Sequence, residues 1–266
     1  MKGNDMSLPT AADFSPRTWN RPLLGYNSKT ATEGDVATVS FGLQAVVTCP
    51  VITPLCKGCY ANGKGNYGFD SVKAGQARRL AVALTGMFRP RMIGELIAAV
   101  YAAQGEGANV LRLRLHDSGD FFDVSYIEDW IKILRDVNRI SPIPVATWAP
   151  TRVWKADAIP VRIGQRDKTD PLPLLAELNA GGHTAIRPSA LKVGDGPPKI
   201  EGLAAGHGVC VKGAVPEGYV CPVGAVHAHN MKRRRNPDLP LLEGSCAALK
   251  CRMCWGQATE VTFHKH

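Results

Sequence analysis

The stretch that most restricts the fold is NVLRLRLHDSGDFF, residues 109–122. Leu111, Leu113 and Leu115 alternate with Arg112, Arg114 and His116. That period of two belongs to an extended strand with two unlike faces. The following residues, VSYIEDWIKILRDV, change period, and Ile127, Trp130, Ile131 and Leu134 fall on one helical stripe. A strand that runs into an amphipathic helix is the unit of a parallel β/α architecture.

The alternation continues in both directions. Residues 36–48, VATVSFGLQAVVT, predict a strand ending at Cys49. Helices are expected near 71–85 and 90–104, the second with Ile93, Leu96, Ile97, Val100 and Tyr101 at helical spacing and Pro90 at its first position. IPVATWAPTR predicts a strand ending in a proline turn, residues 172–180 a weaker helix, and HTAIRPSALKV a further strand. The expected fold is α/β, a partial or full parallel β/α barrel, with an irregular lead-in over 1–35, a core over 36–195 and a loop-rich, cysteine-rich extension over 196–266. In a barrel the leucines of LRLRLH face the helices, and Arg112, Arg114 and His116 point inward, where charged groups need partners or a ligand. On an edge strand the same arginines stand in water.

Composition narrows the class. The 266 residues are 45% hydrophobic and 21% charged, ordinary for a folded domain. The N-terminal MKGNDMSLPTAADFSPR has no apolar signal-peptide region, and no apolar run is long enough for a membrane helix. A cytosolic location with reduced thiols, and no membrane partner, is the expectation. The net charge of +9 permits contact with nucleic acid or another polyanion, and is equally compatible with a solvated basic surface.

The eight cysteines bunch in the chain. Cys49, Cys56 and Cys59 form C-x6-C-x2-C directly after the first strand, and Cys246, Cys251 and Cys254 form C-x4-C-x2-C near the end. Thiolate groups in a reducing compartment hold zinc or iron–sulfur clusters. The C-terminal spacing matches the C-x4-C-x2-C run of plant-type ferredoxins, with Cys221 as its natural fourth ligand and Cys210 as competitor. Iron–sulfur is therefore the favoured cofactor, with zinc as the alternative.

SFGLQAVVTCPVITPLCKGCYAN, then LRLHDSGDFFDVSYIEDWIKI, then CP at 221 and CAALKCRMCW at 246–255 resemble, in that order, the phage- and plasmid-borne gene-product-eighty-eight family. The CYA block also resembles the cluster loop of the radical S-adenosylmethionine superfamily, although its first gap is six residues rather than three. The resemblance implies a radical-SAM-like barrel with at least one iron–sulfur cluster. Three thiolates on a four-iron cluster leave one iron for S-adenosylmethionine, a substrate or another donor. If Cys210 closes that cluster, the sites are saturated and the protein transfers electrons or is braced by them.

His116, Asp117, Ser118 and Asp120 lie at a strand end, where β/α active sites gather, and are the catalytic candidates. They read equally as a cap for the next helix. Ser118 lacks the G-x-S-x-G elbow of a hydrolase nucleophile. Arg112, Arg114, Arg152 and Arg187 are candidates to hold an anionic cofactor or substrate, or else surface arginines. His207, His227 and His229 border the C-terminal cysteines and are either ligands or solvated. Trp255 is expected to shield a cluster from water. The KRRR run at 232–235 is a solvated patch or a phosphate contact. The expected function is an iron–sulfur redox or radical enzyme served by an electron-donor protein. The alternative is a phage-type nucleic-acid-binding protein whose metal sites only brace its loops.

Overall fold

The computed structural model describes residues 8–25, 35–59, 61–62, 65–210, 219–221, 226, 229–230, 233, 236, 239–240, 242, 253–255 and 257–264. Its helices are α1 (Pro16–Trp19), α2 (Asp70–Ala83), α3 (Phe88–Gly105), α4 (Val124–Ile140) and α5 (Leu172–Asn179). Its strands are β1 (Val36–Phe41), β2 (Val110–Leu115), β3 (Val145–Thr151), β4 (Ile159–Pro160), β5 (Lys168–Thr169), β6 (Thr184–Pro188), β7 (His207–Cys210), β8 (Tyr219–Val220) and β9 (Val261–His264).

β1, β2, β3 and β6 form a parallel sheet in that order. Each new strand is added beside the last, so the sheet is wound in one direction and its C-terminal ends share one edge. The leucines of β2 pack into the main core with Met92 and Leu96 of α3 and with Ile127, Trp130 and Leu134 of α4. Trp130 is wedged edge-on against Phe41 and Phe88, each at 5.5 Å between ring centroids. Asp123 caps α4 by accepting the Tyr126 N–H at 2.8 Å. The 116–120 turn is therefore free of the capping duty that the sequence allowed it.

The other face of the sheet carries Arg112, Arg114, Trp148 and Arg187. The Arg114 guanidinium lies 5.0 Å from the centre of the Trp148 ring. Arg187 is completely buried and donates to four backbone carbonyls, those of Ala205, Met253, Cys254 and Thr259, at 2.6–2.9 Å. It pins the short 3-10 turn Met253–Trp255 against the sheet.

Several elements differ from the sequence reading. β1 ends at Phe41 rather than Cys49, because the chain turns at Gly42 to meet the loop after β2. α3 starts two residues before Pro90, whose missing N–H falls in the first turn and costs no helical bond. The C-terminal extension, read as loops, contributes β7, β9 and β8, paired parallel in that order. Strands of two to four residues among glycines carry no readable period. An isolated parallel bridge from Ser189 to His207 links this small sheet to β6.

A full barrel is not formed. The outer edge of β1 is occupied instead by Gly25, whose N–H donates to the Ser40 carbonyl at 2.7 Å while the Ser40 N–H returns the bond at 3.0 Å. The lead-in carrying Gly25 is firmly tied. Leu23 and Leu24 sit in the main core, and Glu95 accepts both of their N–H groups. Arg78 donates to the carbonyls of Arg21 and Pro22.

Candidate metal and catalytic site

The loops after β1, β2, β3 and β6 enclose a cavity of about 180 Å³. It is lined by Cys49, Cys56 and Cys59 from the first loop, the whole of 116–120 from the second, Pro150–Arg152 from the third and Ser189 from the fourth. A single water needs only about 10–15 Å³ on this scale, so the space suits a group much larger than one ion.

The cysteine loop is shaped by its own sequence. Thr53 precedes the 3-10 turn Pro54–Gly58, and its N–H donates to Cys56 Sγ at 3.3 Å. The Cys59 N–H closes onto the Cys56 carbonyl at 3.1 Å, so the C-x2-C pair shares one turn. Burial pushes the Cys49 thiol up to about 12, with the Asp120 carboxylate and then the other two cysteines adding to the effect. A bound metal cation reverses that balance by replacing the proton on sulfur.

The two loops are clamped by groups that sequence reasoning missed. The Ser118 hydroxyl donates to the Leu43 carbonyl at 2.7 Å and accepts from Gln76 Nε2 at 2.6 Å. The Leu43 N–H donates back to the Ser118 carbonyl at 2.9 Å. Ser118 thus lines the cavity as a buried fastener. A Cβ on Gly42 would lie 1.6 Å from Asp117 Oδ1, and one on Gly119 would lie 2.4 Å from Thr48 Oγ1. Glycine is required at both points of close approach.

Asp120 is buried and hydrogen-bonded through both carboxylate oxygens. Its Oδ1 accepts from the Thr151 hydroxyl at 2.6 Å and the Phe121 N–H at 2.8 Å, and its Oδ2 accepts from the Arg152 N–H at 2.9 Å. Burial nevertheless raises its pKa to about 6, because the hydrogen bonds only partly offset desolvation.

His116 departs from the strand parity that placed it beside Arg114. Its φ of 57° turns the ring back toward the helices, edge-on against Phe121 at 4.4 Å. Nε2 lies 3.1 Å from the Tyr126 hydroxyl, while Nδ1 is buried with no hydrogen-bond partner. Burial lowers its pKa to about 3, so the ring is neutral. Among the described residues, the non-glycine positions with positive φ are Val46 and His116, and both line the cavity. Such backbone costs roughly 1–3 kcal/mol per residue and concentrates at functional sites.

The structure separates the four candidate arginines. Arg152 lines the cavity, with Nε donating to the Ala190 carbonyl at 3.1 Å. Arg112, Arg114 and Arg187 do not line it. Arg187, expected at the same mouth, is spent on backbone carbonyls inside the protein, because its strand face points toward the C-terminal turn.

Of the second cysteine group, Cys246 and Cys251 lie outside the described residues, as do His227 and most of the KRRR run. The Trp255 side chain lies outside the described residues as well. Cys254 and Cys221 pack in one small cluster with Trp148, Val261 and Phe263. His207 stands edge-on to Trp148 and Phe263, buried and neutral. Cys210 does not line the cavity of the first trio. The parallel register sets it beside His264 on β9, one residue out of step with Phe263, and its sulfur contacts the Phe263 carbonyl at 3.6 Å. His229 Nε2 lies 2.9 Å from the Pro240 carbonyl. Among the described residues, no three His, Cys, Asp or Glu side chains converge tightly enough to hold a single metal ion.

The three thiols on the cavity wall are soft donors beside harder carboxylate and hydroxyl oxygens, and a thiolate-bound cluster takes each cysteine on a separate metal atom. Fold and site together define a parallel α/β protein with a cysteine-lined cavity at the C-terminal edge of its sheet. The chain belongs to the Gene product 88 family, whose family model matches residues 19–167. That range holds the first cysteine trio and the 116–120 turn, and stops short of the C-terminal cysteines. No curated protein and no solved structure matches the chain. No helix among the described residues is long and apolar enough to cross a membrane.

Proposed function

We propose that this protein is an iron–sulfur redox enzyme whose working centre is the cavity above β1, β2, β3 and β6. The observation that carries the reading is that Cys49, Cys56 and Cys59 line one cavity together with Asp120 and Arg152. A four-iron cluster bound there supplies one-electron transfer.

The chain's own residues prepare that space. The three thiols come from one loop, and the Gln76–Ser118–Leu43 clamp holds that loop against the turn after β2. Asp120 fixes Thr151 and the Arg152 backbone at the rim. The Arg152 guanidinium, steadied through Nε, offers a cationic edge to an anionic substrate group. A radical-SAM-like reaction is the finer form of this proposal, since three cysteines leave one iron of a four-iron cluster for another donor. Cys221 and Cys254 are the described members of a proposed second thiolate centre. An electron-donor protein is the implied partner.

The test is iron and sulfide analysis of protein purified without oxygen. Brown protein containing both, with iron lowered in Cys49→Ser, Cys56→Ser and Cys59→Ser, is the expected result. Formation of 5′-deoxyadenosine when S-adenosylmethionine meets the reduced protein supports the radical form. Colourless protein holding stoichiometric zinc overturns the cluster. With salt-sensitive binding of DNA or RNA, that result moves the chain to the nucleic-acid-binding class its charge permits.

A further inference from the structure

His116 is the one donor on the cavity wall with a ring nitrogen left over. The side chains of the same turn are engaged elsewhere. Asp120 accepts three hydrogen bonds, and the Ser118 hydroxyl is held between Leu43 and Gln76. Asp117 lies against Gly42, close enough to the Arg79 guanidinium to offset part of the lowering that burial imposes on that group's pKa. Cys210, the fourth thiol offered by the sequence, is on a different strand edge and does not line the cavity. By contrast, His116 is 4% exposed, lines the cavity, and leaves Nδ1 without a partner.

We propose that His116 Nδ1 is the fourth protein ligand of the metal centre held by Cys49, Cys56 and Cys59, an inference that rests on the function proposed above. The geometry suits the role. A metal-bound histidine holds its other ring N–H on a fixed acceptor, which sets the tautomer and the ring angle. Tyr126 is placed to be that acceptor, its hydroxyl oxygen 3.1 Å from Nε2; in the tautomer with the proton on Nε2, the ring donates to Tyr126 and the lone pair is left on Nδ1. The edge contact with Phe121 at 4.4 Å holds the ring plane. The left-handed backbone at His116 also gains a purpose. Continued strand geometry would point the ring along the Arg114 face, whereas the φ of 57° sets it between the cavity and Tyr126. The resulting centre is three-cysteine, one-histidine and closed at rest, which favours the electron-transfer form of the proposed function over the radical form. A nitrogen ligand in place of a thiolate removes negative charge and raises the reduction potential.

The experiment uses the full chain, reconstituted with iron and sulfide without oxygen and reduced, with unlabelled or 15N-labelled histidine. Pulsed electron paramagnetic resonance is expected to show a strong nitrogen coupling that changes with the label. The coupling should vanish in His116→Cys, with iron content kept and the potential lowered, and persist in His207→Gln. A centre containing iron and sulfide that shows no histidine-nitrogen coupling in the unmutated protein overturns the ligand assignment alone, as does coupling that survives His116→Cys. Absence of iron and sulfide from the unmutated protein overturns the functional reading, and this assignment with it.

Discussion

The Asp120 carboxylate accepts the Thr151 hydroxyl at 2.6 Å, joining the turn after β2 to the end of β3. His116, four residues before Asp120, is buried in the same turn and shifted in the opposite sense. These two groups set opposed pH dependences. Asp120 is raised to about 6, so between about 4 and 6 the folded state holds a proton the unfolded chain has lost, and stability falls as pH rises. His116 is lowered to about 3, so between about 3 and 6.5 the unfolded chain holds the extra proton, and stability falls as pH drops. In the unmutated metal-free protein the two slopes offset between about pH 4 and 6. Asp120→Asn uncovers the histidine slope. Denaturant unfolding should show that variant losing about 1.4 kcal/mol per unit of acidification relative to the unmutated chain. Parallel curves for the two proteins would refute the assignment.

Ser118→Ala separates fastening from catalysis. It leaves the Gln76 amide and the Leu43 carbonyl without their shared partner, at a cost of about 1–3 kcal/mol. Iron content should fall only as far as the stability of the loop does. Loss of iron with unaltered stability would give the hydroxyl a direct role at the centre.

Three glycines test the close approach of the loops. Gly164 has a φ of 84° and nothing within 4 Å of an added Cβ, so Gly164→Ala pays only the left-handed backbone penalty, about 1 kcal/mol. Gly119→Ala adds a collision with Thr48, and Gly42→Ala drives into Asp117. Thermal unfolding should rank both well below Gly164→Ala, and both should bind less iron. Equal midpoints for the three variants would contradict the packing.

Arg187→Lys tests the pillar beneath the C-terminal turn. A lysine has one donor nitrogen and cannot span carbonyls from Ala205 to Cys254. The variant should expose Met253–Trp255 to amide exchange and lower overall stability by about 3 kcal/mol or more, as expected when a buried network loses its donor. Unchanged exchange in that segment would show that the strands hold it unaided.

Features written in neighbouring residues are legible before the chain is folded. The LRLRLH alternation and the stripe of VSYIEDWIKILRDV specify β2 and α4, because side-chain period is a local property of backbone geometry. The C-x2-C turn and its place after the first strand were legible for the same reason. The gathering of the trio, the 116–120 turn and Arg152 at one cavity was legible as well, since parallel strands wound in order bring their C-terminal ends to one edge. The remaining features depend on contacts between segments far apart in the chain. Gly25 takes the edge that a closed barrel would need, and no period in the lead-in announces that bridge. A single positive φ turns His116 from the arginine face to Tyr126, and dihedral sign is invisible to a count of spacings. Ser118 fastens loops and Arg187 props a distant turn, because the partners of a polar group are set by segments far away in the chain. The period of a strand is fixed within a few residues; the fate of its side chains is fixed by what folds against them.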